Sequence, residues 1–177
     1  DEQIHSLVTE SGVSAIGKIA DELAALMSFF HDTGELTLRI PALPRPTPAE
    51  LQEKFSWIRS IERDTSPTEA VVLTLGTILR SGEERIGGEE YERRLAPMAD
   101  IVLGYQQAKW LVEHQDEHPA FMALLGKVYI DFSGLVVSAI GYRHVPYLGQ
   151  GGGRWLLGWD WLAHDFRRHG RLALSRK

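Results

Sequence analysis

Cysteine is absent from the 177-residue chain. That excludes a disulfide framework, a thiol nucleophile and any thiolate-held zinc or iron–sulfur centre. It fits a reducing compartment, so the expectation is a cytoplasmic protein. Long apolar runs are missing as well. Nothing approaches the roughly 20 residues that a membrane helix needs, and no membrane contact is expected. The start, Asp1-Glu2-Gln3, has neither the basic residues nor the apolar stretch of a signal peptide. A start without Met is what trimming, or excision from a longer chain, would leave.

Acidic residues are scarce in one region only. Residues 118–177 hold three (Asp131, Asp160, Asp165) against eight bases, while residues 1–117 hold 21 acids against 11 bases. The net charge of −5 therefore hides an acidic front and a basic end. Such a split has two explanations: the two parts attract each other, or the basic part meets an anionic partner.

What is present suffices for a packed core. The length fits one domain, and 44 % of the residues are hydrophobic. Residues 14–30 read as an amphipathic helix, with Ile16, Ile19, Leu23, Leu26, Met27 and Phe30 at spacings of three and four. Ser14 is its expected N-cap, and His31-Asp32-Thr33-Gly34 its stop. Leu36–Ile40 alternates like a short strand. Four prolines in Pro41–Pro48 make a stiff, extended connector.

Beyond it, Thr47-Pro48-Ala49-Glu50 has the form of a capping box, opening a helix whose stripe is Leu51, Phe55, Ile58 and Ile61. Ser66-Pro67-Thr68-Glu69 repeats that device ahead of the β-branched run 70–79. The cap favours helix there and the propensities favour strand; we take helix as the expectation. Glu89–Leu95 is a further helix, ended or kinked by Pro97. Residues 98–117 carry the longest helical pattern, and Pro119–Leu125 a short helix closed by Gly126.

From Lys127 onward the period changes to two. Lys127–Phe132, Leu135–Gly141, Tyr142–Leu148, Arg154–Trp161 and Arg171–Ser175 read as strands, with Gly149–Gly153 as a hairpin loop. Helices first and strands second point to an α+β fold, with N-terminal helices packed on a C-terminal antiparallel β-meander. The expected division is a helical arm over 1–40, a Pro-rich connector over 41–48 and one body over 49–177, helical to 126 and β-rich after it.

Several motifs invite chemistry. His114-Gln115-Asp116-Glu117-His118 fits the inverted zinc-protease pattern, in which two histidines four apart share a helix face and a Glu acts as base. The motif lacks a downstream glutamate to serve as third ligand, because no Glu occurs after position 117. His164-Asp165 and His169 suggest an Asp–His pair, yet no nucleophile motif surrounds Ser133, Ser138 or Ser175. Gly149–Gly153 is no phosphate loop, since no Lys-Ser/Thr comes after it and no helix starts there. Pro41–Pro48 contains P-x-x-P spacing, which reads first as a linker.

The strongest constellation lies in the last third, where aromatics and arginines concentrate. Alternation along Arg154–Trp161 puts Trp155, Leu157, Trp159 and Trp161 on one face. Such a row is sheet core if covered, and a stacking platform if exposed. The expectation is a non-catalytic binding or adaptor protein with no cofactor and no metal. Its basic, aromatic-rich end would contact nucleic acid or an acidic protein surface through Arg143, Arg154, Trp155, Trp159, Arg167, Arg168 and Arg171. One alternative is a protein-interaction or self-association module using the stripe Ile16–Phe30. Another is a metal-dependent hydrolase at His114 and His118.

Overall fold

The computed structural model describes residue 36 and residues 38–176. The expected helix over 14–30, with its stripe Ile16–Phe30, lies outside them. The expected helices-then-strands order is overturned: the described chain is mostly β. Ten strands are interleaved with four short α-helices, and strands come from both halves of the sequence.

Eight strands build one mixed sheet: β1 (Arg39–Ile40), β2 (Ser60–Asp64), β3 (Val71–Gly76), β5 (Tyr129–Asp131), β6 (Leu135–Ala139), β7 (Tyr142–Gly151), β8 (Arg154–Trp161) and β10 (Gly170–Arg176). The order is β1-β3-β10-β5-β7-β6-β2, with β8 added on β7. All pairings are antiparallel except β5 with β10, so the meander expected over the last third is broken by a parallel contact. Strand β7 organises the sheet. Its first residues pair with β6, its later residues with β5, and nearly its whole length pairs with β8. Two further strands, β4 (Arg85–Ile86) and β9 (Phe166–Arg167), form a separate small ribbon.

The helices are α1 (Pro48–Lys54), α2 (Gly88–Leu95), α3 (Tyr105–Glu113) and α4 (Pro119–Met122). Helix α1 starts with the capping box: Thr47 Oγ1 accepts from Glu50 N at 3.2 Å, and Thr47 N donates to Glu50 Oε2 at 2.7 Å. It stops at Lys54, so Ile58 and Ile61 belong to the next turn and strand rather than to its stripe.

Two expected helices are corrected. Val71–Gly76 is strand β3, paired with β1 and β10. The residues Ser66–Glu69 do not cap anything: Ser66 bonds Asp64, and Pro67 O accepts from Gln107 Nε2 at 2.8 Å. Here β-branched side chains fit a buried pleated strand, and a local capping pattern cannot outweigh two strand partners. The long helix expected over 98–117 is interrupted too. Residues 101–103 run extended beside β10, with Ser175 N bonding Ile101 O at 2.7 Å and Leu103 N bonding Ala173 O at 3.0 Å. Helix α3 begins only after Gly104, whose N–H is capped by Gln107 Oε1 at 3.0 Å.

Each face of the sheet is covered. On one face Leu73, Leu75, Ile130, Leu148, Trp155 and Ala173 pack with Ala108 and Leu111 of α3 and Phe121 of α4. On the other, Val136, Val145, Leu172 and Leu174 pack with Tyr91 and Leu95 of α2, Met98, and Ile86 and Phe166 of the ribbon. Strands buried on both sides read as continuous apolar runs, as β3 and β6 do. No helix among the described residues is long and apolar enough to cross a membrane.

Candidate functional site

The turn that leaves β8, residues 162–165, forms a ridge between two concavities among the described residues. On one side lies an open cleft of about 520 Å³, lined by Tyr129, Asp160, Ala163, His164, Asp165, Arg167 and His169. Beneath it, Tyr129, Asp160, His164 and Asp165 also line a much smaller cavity whose floor includes Asp131 and Tyr91. On the far side of the ridge a groove of about 300 Å³ runs between Tyr142, Trp161 and the start of α2.

Local structure places each group. Alternation along β5 puts Tyr129 and Asp131 on the same face, toward α2 and the ribbon. Helix α2 brings in Tyr91, whose ring stacks on Phe166 at 5.1 Å. Its hydroxyl donates to Asp131 Oδ2 at 3.1 Å and lies 2.5 Å from Ser133 Oγ. Helix α2 can approach because its first residue is Gly88. A Cβ there would sit 2.2 Å from Leu162 O and 2.7 Å from Ala163 Cα.

Asp160, next to last in β8, accepts from His164 Nδ1 at 2.9 Å. With a carboxylate as acceptor, the donor in this bond is Nδ1–H. The sequence suggested Asp165 as the acid beside His164; Asp165 instead pairs with Arg85 at 3.0 Å. Tyr129 hydroxyl accepts from Arg167 N at 3.1 Å, tying β5 to β9.

Burial sets the charge state at the floor. Asp131 is 5 % exposed and its Oδ1 has no partner. Desolvation first, and the nearby Asp160 carboxylate second, push its pKa up to about 8, while the bond from Tyr91 pulls the other way. Asp131 is therefore mainly a neutral carboxylic acid at pH 7. Burial also raises the Tyr91 phenol, and pushes Tyr129 up to about 12. Sequence reading missed Asp131, Tyr91, Ser133, Tyr129 and Asp160 as a group. One signal was available: Asp131 is one of three acids in the last 60 residues and sits in the apolar strand Tyr129-Ile130-Asp131-Phe132.

The contact residues expected from sequence are scattered. Arg143 pairs with Glu62 at 2.7 Å and Glu92 at 2.8 Å. Arg154 forks onto both oxygens of Asp116 at 2.9 and 2.8 Å, which lowers the Asp116 pKa. Arg168 meets Glu84 at 3.1 Å. Arg171 donates to the carbonyls of Arg168 and Gly170. Arg167 is exposed and lines the cleft, and among the described residues no carboxylate pairs with it. Much of the charge split is thus internal complementarity.

The tryptophan row is graded. Trp155 is fully buried and stacks on Phe121 at 5.0 Å. Trp159 packs in the middle against Phe55 and Tyr105. Trp161 is 42 % exposed, stacked on Tyr142 at 4.7 Å and tilted against His164 at 5.0 Å. The stacked Tyr142 and Trp161 rings line the groove on the far side of the ridge, and Trp161 touches His164, which lines the cleft.

His114 and His118 lie at either end of a 3-10 turn, not on one helical face. Both rings pack on Trp110, at 4.2 and 5.8 Å. No cluster of three or more potential metal-ligating side chains occurs among the described residues. No protein-family model, no curated protein and no solved structure matches this chain.

Proposed function

We propose that this is a binding protein for a nucleotide, free or within a single strand, held at the cleft beside turn 162–165. The observation that carries the proposal is the difference between Arg167 and three other arginines of this end. Arg143, Arg154 and Arg168 are matched by carboxylates, whereas Arg167 lines the open cleft with His164, His169 and two carboxylates that are engaged elsewhere, Asp160 with His164 and Asp165 with Arg85. A guanidinium matches phosphate geometry. The exposed Tyr142–Trp161 pair, in ring contact with His164, supplies a surface on which a planar base stacks. A net charge of −5 does not steer an anion from a distance, so recognition rests on short-range contacts.

The test is binding of fluorescent single-stranded DNA and RNA across a salt series, with mononucleotides as competitors. Phosphate contacts make affinity fall as salt rises. Arg167→Glu is expected to weaken binding at least about tenfold, while Arg168→Glu, outside the cleft, leaves it within about twofold. Competition by a mononucleotide at concentrations near those of the oligonucleotide indicates a free nucleotide as ligand; weak competition indicates a strand. Absence of binding by every probe at low salt refutes the proposal.

A further inference from the structure

The groove on the far side of the ridge is built differently from the cleft. It runs between the stacked pair Tyr142 and Trp161, 53 % and 42 % exposed, and the first turn of α2. Its volume of about 300 Å³ is at the lower end of the range for small-ligand sites. The charges inside are acidic on balance. Arg143 is held by Glu62 at 2.7 Å and by Glu92 at 2.8 Å, so Glu92 is already matched. Glu89 also lines the groove, is exposed, and has no hydrogen bond or ion pair among the described residues. One carboxylate therefore stands uncommitted beside two exposed rings. It sits in the first turn of α2, where it offsets the positive end of that helix. Phosphate is disfavoured in such a groove, whereas the cleft across the ridge offers Arg167 and two histidines. The two concavities meet at exposed Ala163, which lines both, and a ligand can lie over its methyl side chain.

We infer that this groove is the base subsite of the ligand and that it selects a base with an exocyclic amine, whose N–H donates to the Glu89 carboxylate. The inference rests on the cleft being a nucleotide site. A carboxylate accepts hydrogen bonds and has none to give. It matches the amine of cytosine or adenine, and it repels the carbonyl oxygen that uracil or thymine carries at the corresponding position. Stacking on Tyr142 and Trp161 does not discriminate, because every base has a π-face. The choice comes from Glu89. The direction of the ligand follows: neutral base over the rings in the acidic groove, phosphate beyond Ala163 in the cleft at Arg167.

Two contacts hold the acceptor in place relative to the stacking surface. Glu89 follows Gly88, whose missing side chain lets the start of α2 touch the backbone of Leu162 and Ala163, just after Trp161. Glu92, one turn further along α2, is clamped by Arg143, the neighbour of Tyr142 on β7. The helix that carries Glu89 is thereby tied to both strands that carry the rings.

Fluorescence anisotropy of the full chain with labelled oligocytidylate and oligouridylate of equal length tests this, because the two pyrimidines stack alike but exchange an amine for a carbonyl. Wild type should bind oligocytidylate about tenfold more tightly. Glu89→Gln presents both an acceptor and a donor, so it should bring the two affinities within about twofold of each other. If Glu89→Gln strengthens both strands by the same factor and keeps the tenfold ratio, Glu89 acts through its charge alone and its reading of the base is overturned. Tyr142→Ala should weaken both strands about tenfold and leave the ratio unchanged; undiminished binding overturns the groove as the base subsite. Glu89 and Tyr142 are both exposed, so the variants should fold, which circular dichroism checks. Equal wild-type affinities for the two strands, with Arg167→Glu weakened, overturn the selection and leave the cleft as the site. No binding of either strand at low salt overturns both readings.

Discussion

Replacing Asp131 by Asn removes one ionisation from inside the sheet while keeping the side chain's shape and its bond from Tyr91. The effect on stability is set by the shift. In the unfolded chain this carboxyl titrates near 3.8, and in the folded protein near 8. Below pH 3.8 both states hold the proton and the group contributes no penalty. Between 3.8 and 8 the unfolded chain releases a proton that the folded protein keeps, so stability falls as pH rises. Each unit is worth about 1.4 kcal/mol, which makes the penalty about 4 kcal/mol at pH 7 and about 6 kcal/mol above pH 8. Against a typical domain stability of roughly 5–15 kcal/mol that is large. The assay is urea unfolding of wild type and Asp131→Asn at pH 5, 6, 7 and 8, monitored by tryptophan fluorescence. Other shifted groups, such as Asp64, Glu83 and Glu90, are common to both proteins and cancel in the difference. The stability of Asp131→Asn minus that of wild type should climb by about 1.4 kcal/mol per pH unit. The slope, not the offset, is diagnostic, because Asn carries its own desolvation term. A flat difference from pH 5 to 8 would refute the reasoning.

Three other perturbations probe the packing. Trp155→Ala should destabilise by about 3–5 kcal/mol, since a fully buried ring is deleted, whereas Trp161→Ala at the exposed end should stay within about 0.5 kcal/mol; thermal unfolding of both variants checks the gradient. Arg94 donates to Glu83, Glu90 and Ile78 O while only 12 % of its side chain is exposed, so Arg94→Ala should lower stability by about 2–3 kcal/mol by urea unfolding. Gly88→Ala sets a Cβ against Leu162 O and should lose about 1–3 kcal/mol while shifting the Trp161 environment; an unchanged melting temperature together with an unchanged emission spectrum contradicts the close contact.

Some of this architecture could be read from the sequence because it rests on neighbours in the chain. The capping box at Thr47 and Glu50 satisfies orphan helix donors within four residues, so composition alone identifies it. The strand Arg154–Trp161 and the one-sided placement of its tryptophans come from a period of two. Where a local signal met a non-local one, it failed. Val71–Gly76 has a capping pattern ahead of it, and two strand partners override that pattern. Residues 101–103 have helical spacing and are drawn out beside β10, far along the chain.

The residues of the candidate site divide the same way. The sequence by itself determined that the chain's end is rich in arginine and aromatics, and that its tryptophans share a face. It could not tell Arg167 from Arg168, because the difference is whether a distant acid lies opposite: Glu84 faces Arg168, and no carboxylate pairs with Arg167 among the described residues. Nor could it tell Trp155 from Trp161, since burial depends on whether α4 or solvent covers that end of β8. Asp131 is the clearest case. In the sequence it is a lone acid in an apolar strand; only tertiary structure brings Tyr91, Ser133 and Asp160 around it and excludes water. Desolvation and field at a point depend on everything packed around it, and that is decided by the fold as a whole.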